Sequence, residues 1–194
     1  MFNGIVYHTG SVKSIEKRDK NCSLTIYSKI KFKKNEIGSS ISCSGTCLTL
    51  ESFKKNYIKF YLSSETMDKT NFKYCKKGDL INIEKSLVFG DRISGHFVQG
   101  HIDTISKVKS IVIVGKSWVI SFFLPKKFIK FLVFKGSITI NGVSLTVSKI
   151  LNNGFQVVII PQTLKLTNLL HIKKKDVVNL EFDVLGKYIN NFLK

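Results

Sequence analysis

The stretch SISCSGTCLTL, Ser40 to Leu50, returns as SITINGVSLTV, Ser137 to Val147. The offset is 97 residues, half of a 194-residue chain. From Ser40 to Glu84 against Ser137 to Glu181 no gap is needed, and 14 of 45 positions are identical. Gly45/Gly142, Leu48/Leu145, Thr49/Thr146, Thr66/Thr163, Asn71/Asn168, Asp79/Asp176, Asn82/Asn179 and Glu84/Glu181 are among them. An earlier piece repeats at offset 96, GSVKSI (Gly10 to Ile15) facing SKVKSI (Ser106 to Ile111). Such a period is far longer than a solenoid unit and marks a tandem domain duplication. One pair within the repeat differs in chemistry: Cys47 stands opposite Ser144.

Two domains of about 95 residues can each bury a modest core. The segments between the repeated motifs read as short strands. LTIYSKI places Leu24, Ile26, Ser28 and Ile30 on one face, the alternation of a half-buried strand. YIKFYL, LINIEKSL, WVISFFL, GSITI, FQVVII and VVNLEF are similar, each bounded by Gly, Asn, Asp or Lys clusters. Many short strands at roughly ten-residue spacing predict barrels or sandwiches. Two helices are expected. PKKFIKFLVF begins with Pro125 and spaces Phe128, Phe131 and Leu132 at helical intervals. The terminal FDVLGKYINNFLK aligns Leu185, Tyr188, Ile189 and Phe192 in one apolar stripe and has no counterpart in the first half. Glycines 90, 95 and 100 punctuate LVFGDRISGHFVQGHID, the expected junction. The expected domains are residues 1–96 and 97–186, with 187–194 ending a terminal helix.

The net charge of +18 invites a nucleic-acid reading, but the composition opposes it. Only Arg18 and Arg92 are arginine among 31 basic residues, and alanine is absent. Lys, Asn, Ile and Phe are inflated together, as AT-biased codon usage would produce. Recognition of phosphate and base edges favours the bidentate arginine fork. The 15 Phe and 6 Tyr could stack bases, but they fall at strand-core positions. The four cysteines, Cys22, Cys43, Cys47 and Cys75, form no Cys-x-x-Cys and no zinc spacing. The start MFNGIVYHTG lacks the pattern of a signal peptide, and no apolar run reaches membrane-span length. The expectation is a cytoplasmic protein with free thiols, no metal, no nucleic acid and no membrane.

Five pieces, in order, resemble one family: MFNGIV, GTCLTL, SGHFVQGHID, KGSITINGVSLTV, and PQTLKLTNL before NLEFD. Together they resemble riboflavin synthase over essentially the whole chain. The resemblance implies an all-β fold of two tandem six-stranded Greek-key β-barrels plus a C-terminal α-helix, usually in a homotrimer. Each barrel would hold one 6,7-dimethyl-8-ribityllumazine. The implied reaction is a dismutation: one lumazine gives up four carbons and leaves as 5-amino-6-(ribitylamino)uracil, and the other becomes riboflavin. No cofactor takes part. The productive pair would lie between the N-terminal barrel of one subunit and the C-terminal barrel of a neighbour. Whether the chain associates with lumazine synthase stays open.

The reaction needs a proton taken from the C7 methyl of one lumazine and a nucleophile for C7 of its partner. His101, beside Gly100, suits proton handling by its ordinary pKa. His96 is its near neighbour, and either histidine can equally be structural. Ser144 and Thr146 lie two apart and so face one side of a strand; Cys47 and Thr49 do the same in the first half. A lone Cys is more often a small buried hydrophobe, and it becomes a nucleophile only where partly thiolate. With the resemblance, Ser40, Cys47, His101, Lys135, Ser144, Thr146 and Asp183 are the expected catalytic set. Lys135 would stabilise an anionic lumazine, and Asp183 can also cap the last helix.

The expected binding surface is two sets of equivalent pieces. The first has Phe2, Gly4, Ile5 and Val6, then Cys47, Leu48 and Thr49, then Tyr61, Leu62, Ser63, Ser64, Glu65 and Thr66. The second has Gly100, His101 and Ile102, then Lys135, Ser144, Leu145 and Thr146, then Ile159, Ile160, Pro161, Gln162, Thr163 and Leu164. Phe2 is expected to cover a ligand ring. Thr66 and Thr163 are expected at strand ends. Three departures from the family pattern stand out: Asn141 replaces the usual Asp, Ser44 the usual Asn, and Ser94 a usual Gly. A carboxylate lost at position 141 would slow turnover if it handled protons. The rival readings are a non-catalytic lumazine- or flavin-binding protein of the same fold and a basic nucleic-acid-binding barrel.

Overall fold

A computed structural model describes residues 1–18 and 21–193. The first closed barrel is built from β1 (His8–Arg18), β2 (Asn21–Ser28), β3 (Ser40–Cys43), β4 (Thr46–Lys54), β5 (Tyr57–Leu62) and β6 (Leu80–Lys85). The second uses β7 (Thr104–Val114), β8 (Ser117–Phe123), β9 (Ser137–Ile140), β10 (Val143–Leu151), β11 (Gly154–Ile159) and β12 (Val177–Phe182). Around the first barrel the order is β1-β2-β5-β4-β3-β6, all antiparallel; around the second it is β7-β8-β11-β10-β9-β12, the same path. The all-β duplication expected from the sequence is the architecture observed. Closure leaves no sheet edge to aggregate.

Alternation along each strand sends one side chain in two inward. On β4 Leu48 and Leu50 are buried while Thr49 is exposed; on β10 Leu145 and Val147 are buried while Thr146 is exposed. The interiors form two separate apolar cores, one around Leu24, Ile26, Phe60 and Ile83, the other around Phe122, Phe155, Ile138 and Leu180. Short helices follow the fifth strand of each barrel, α1 (Ser64–Lys69) and α3 (Pro161–Leu166). The helix expected from Pro125 is a single turn, α2 (Lys126–Ile129); Phe131 and Leu132 N–H then donate three residues back in tight turns, and the chain bends at Lys135 (φ 64°) into β9. Phe128 and Phe131 still pack on Phe182. The last helix, α4 (Val184–Phe192), is present, and Lys194 lies outside the described residues. No helix among the described residues is long and apolar enough to cross a membrane.

The barrels meet on a pseudo-twofold axis where Gly45 faces Gly142. A Cβ on either would lie 2.7 Å from the backbone nitrogen of the other, so both positions require glycine. Ser44 and Asn141 hold the positive-φ corner before each glycine. Around them four asparagines cross the interface reciprocally. Asn168 N–H donates to Asn82 Oδ1, and Asn71 N–H to Asn179 Oδ1, both at 2.7 Å. Asn82 Nδ2 donates to Asn141 O and Asn179 Nδ2 to Ser44 O, both at 2.8 Å. Each of these four bonds has its image under the repeat.

The segments before β1 and β7 also cross. Phe2 and Val98, equivalent at offset 96, pair backbone to backbone at the axis, and both are fully buried. Val6 packs into the core of the second barrel although it precedes the first. Residues 1–6 therefore serve both barrels.

Replacing Asn82 or Asn179 with Leu leaves buried backbone donors and acceptors without partners. Each should cost at least about 2 kcal/mol, read as a lowered urea midpoint. An unchanged midpoint would show that the asparagines do not hold the barrels together.

Candidate functional site

Each barrel carries a shelf on the outer face of its third and fourth strands. In the first, Ser42 pairs with Cys47 and Ser40 with Thr49 across β3 and β4. In the second, Thr139 pairs with Ser144 and Ser137 with Thr146 across β9 and β10. The edge of each shelf is closed by a glycine from the segment preceding the other barrel. Cys47 N–H donates to Gly100 O and Ser144 N–H to Gly4 O, both at 2.8 Å. Gly100 (φ 81°) and Gly4 (φ 73°) need the left-handed conformation, and a Cβ on either would lie 2.7 Å from the site residue's Cβ.

The shelves differ in their acid–base groups. His96 Nδ1 lies 2.7 Å from Ser144 Oγ, and its Nε2 lies 3.1 Å from Thr139 Oγ1. Burial lowers the His96 pKa, opposed by the nearby Asp183 carboxylate. With its proton on Nε2, a neutral His96 donates to Thr139 and accepts from the Ser144 hydroxyl. Asp183 Oδ1 also accepts from Leu185 N–H at 3.0 Å and caps α4. Among the described residues no hydrogen bond joins a histidine to Cys47. Cys47 is half-buried; Cys43 behind it is fully buried. Cys22 is buried too. Burial pushes the half-buried Cys75 thiol up to about 12, with Asp79 adding to the effect.

The other expected residues divide by orientation. His101 is exposed beside Gly100, and Ile102 is half-buried. Ile5 is half-buried next to Gly4. Leu48, Leu62, Leu145, Ile159 and Leu164 point into the cores, so only their backbones reach the outer face. Tyr61 is exposed and aligned with Ser23 on the outside of β5. Phe2 does not offer an open ring face: it is fully buried, with its ring edge against Gly100. Thr66 and Thr163 sit one turn into α1 and α3 rather than at strand ends. Ser63 accepts from Thr66 N–H at 3.1 Å and starts the first of these helices; Pro161 starts the second, after the exposed Ile160. Ser64, Glu65 and Gln162 lie exposed in those first turns.

Lys135 is exposed at φ 64°, where its repeat equivalent is Gly38 at φ 90°. A lysine at a strained position invites a functional reading, but Lys175 replaces Gly78 in the same way far from either shelf. Asn141 is buried at the axis, its Oδ1 accepting from Asn179 N–H at 2.9 Å. It is a structural turn residue, one strand corner away from Ser144. Ser94 is exposed and keeps a negative φ, so no glycine is needed there.

Three functional candidates escaped the sequence reading of the site. Glu84 and Glu181, buried at the same point of each repeat, accept paired backbone N–H bonds. Glu84 takes Asn3 N–H (2.9 Å) and Gly4 N–H (3.2 Å); Glu181 takes Gln99 N–H (2.7 Å) and Gly100 N–H (2.9 Å). Burial pushes each carboxyl up to about 7, against the lowering effect of those N–H groups. Their signal was repeat identity without an obvious local role. The third, Thr139, had no such signal. A cavity of about 620 Å³ at the axis is lined by Ser44, Asn71, Asn141 and Asn168 and touches neither Cys47 nor Ser144. A groove of about 590 Å³ includes Ile5 and Glu84.

The Lumazine binding domain profile matches twice, over residues 3–86 and 99–183. Duplicated lumazine-binding barrels are the class that this fold and its paired shelves define. The riboflavin synthase of Actinobacillus pleuropneumoniae is 36% identical, covering 100% of this chain and 90% of that protein. That of Bacillus subtilis is 33% identical with the same coverage, and that of Schizosaccharomyces pombe 31% identical over 100% of this chain and 94% of its own. A crystal structure of LumP complexed with riboflavin superposes with a TM-score of 0.82 at 26% identity, covering 94% of this chain and 99% of that one. The chain belongs to the riboflavin synthase family, a family of transferase enzymes.

Both raised carboxyls have a definite sign in linkage. A carboxyl whose folded-state pKa exceeds its unfolded value adds stability at low pH and loses it as pH rises through the folded value. Stability should therefore fall between pH 4.5 and about 7 through Glu84 and Glu181. The double variant Glu84→Gln/Glu181→Gln should flatten that slope in urea titrations across this range. A slope equal to wild type would remove the two glutamates as its source.

Proposed function

We propose that the chain catalyses the dismutation of two molecules of 6,7-dimethyl-8-ribityllumazine to riboflavin and 5-amino-6-(ribitylamino)uracil. Membership of the family and the two equivalent shelves support this reading. The observation that carries it is their inequality: one fold repeated, with Ser144 on a neutral histidine and Cys47 without one. A reaction between two identical molecules in different roles calls for that arrangement. Four carbons pass from donor to acceptor, and the atoms of two lumazines equal those of the two products, so no redox partner or cofactor is required. In this reading Ser144, His96 and Thr139 handle a proton at one ring. Cys47 and Thr49 face the other, with His101 exposed nearby. Asp183 steadies His96 in its charged form when it takes a proton.

Holding two rings face to face replaces a rare encounter by a local one, worth several kcal/mol of the barrier. We place the pair between the first barrel of one subunit and the second of another, in a homotrimer. The apolar stripe of α4, with Leu185, Tyr188, Ile189 and Phe192 exposed, supports subunit contact. Lumazine or flavin binding without turnover is the second reading, favoured by the similarity to LumP with bound riboflavin.

Incubating the purified chain with the lumazine alone separates the two. Equal amounts of riboflavin and the pyrimidine are expected; tight binding with no product supports the second reading. Cys47→Ser and Ser144→Cys should each lower kcat at least about tenfold, or roughly 1.4 kcal/mol of transition-state stabilisation, while the riboflavin Kd moves far less. Wild-type turnover in both would make the Cys/Ser difference catalytically silent.

A further inference from the structure

We propose that Glu84 and Glu181 are positioning residues that act across the barrel boundary, each fixing through a leader glycine the site residue of the other barrel. The connection is continuous. The Glu181 carboxylate, on β12 of the second barrel, accepts Gln99 N–H and Gly100 N–H; the carbonyl of that same Gly100 accepts Cys47 N–H in the first barrel at 2.8 Å. Glu84, on β6 of the first barrel, accepts Asn3 N–H and Gly4 N–H; the Gly4 carbonyl accepts Ser144 N–H in the second, again at 2.8 Å. One glycine residue is thus gripped through its N–H by a carboxyl and through its carbonyl by the site strand. Two backbone donors on one carboxyl fix direction as well as distance. The glycines leave no slack, since a Cβ on either would lie 2.7 Å from the Cβ of Cys47 or Ser144.

A route within each barrel competes. Glu84, Ser42 and Cys47 stand in one cross-strand row, as do Glu181, Thr139 and Ser144. Those rows are held by regular ladder hydrogen bonds that need no carboxylate. The leader segments lie outside the barrel ladders; besides the Phe2–Val98 pair and single bonds at Met1, Asn3 and Asp103, they are tied down by paired bonds to the two glutamates. Removing a carboxylate therefore frees the leader more than it frees its own strand.

The importance of Cys47 and Ser144 rests on the function proposed above, but the coupling can be measured without turnover. Glu181→Gln and Glu84→Gln keep the side-chain shape and turn an NH₂ toward one of the two backbone donors. Amide hydrogen exchange in the full chain, followed by NMR, reports the two leader bonds directly. Glu181→Gln should speed exchange of the Cys47 amide about tenfold or more, the scale of one lost hydrogen bond, and leave the Ser144 amide within about twofold. Glu84→Gln should do the reverse. Iodoacetamide alkylation of Cys47, located by mass spectrometry, should change in Glu181→Gln and not in Glu84→Gln. If a Gln variant does not fold, Glu181→Asp and Glu84→Asp, which keep the charge and shorten the reach, should give the same crossed pattern. Changes confined to the same barrel, equal changes at both amides, or no change at either would overturn the proposal. A crossed pattern in a chain that makes no riboflavin would uphold the coupling and refute only the proposed reaction.

Discussion

The reciprocal grip of four asparagines, three of them buried, around Gly45 and Gly142 is the constraint on which the rest depends. Two closed barrels have no reason to meet at one angle, because their apolar surface is already used inside. Side-chain amides supply the missing specificity. Each carries donors and an acceptor, so Asn82 can hold Asn168 and Asn141 at once, and Asn179 can hold Asn71 and Ser44. Burial makes any other alignment costly, since it would strand those groups away from water. The contact fixes the pseudo-twofold axis and brings each leader glycine against the opposite shelf.

From that axis the positions of the site residues follow in order. The corner before Gly45 or Gly142 feeds β4 or β10. The second residue after each glycine, Cys47 or Ser144, then points outward beside the leader of the other half. A single barrel would lack that edge. Duplication therefore does more than double a binding surface: each copy completes the other. The exchange of Val6 into the second core shows the same dependence in apolar form.

The fold was legible because strand alternation and turn glycines are local, and the repeat showed both halves the same pattern. Leu48 and Leu145 inward with Thr49 and Thr146 outward follows from period two alone. The helix after Pro125 was overextended because its apolar spacing, Phe128 to Leu132, is equally served by one turn and a bend onto Phe182. Within the site, Cys47, Ser144 and Thr146 could be placed from spacing. Phe2 could not, since nothing in MFNGIV tells a ring that covers a ligand from one buried under Gly100. The contact of His96 with Ser144 was hidden for the same reason. His96 and His101 both flank the junction glycines, and only the chain's three-dimensional course brings His96 to Ser144. Contacts between residues 48 or 81 positions apart leave no mark in periodicity.

Symmetry and chemistry are thereby assigned to different atoms. The axis asparagines, the leader glycines and the two glutamates act through groups that are identical in both halves, and they remain matched. The outward side chains that would meet a ligand have no such tie to their repeat partners. Cys47 opposite Ser144 can diverge without disturbing a single axis bond. His96 adds to the difference from within the linker, which is single-copy and so free of the repeat. A duplicated frame with unduplicated chemistry at its edges can present two like molecules with unlike surroundings.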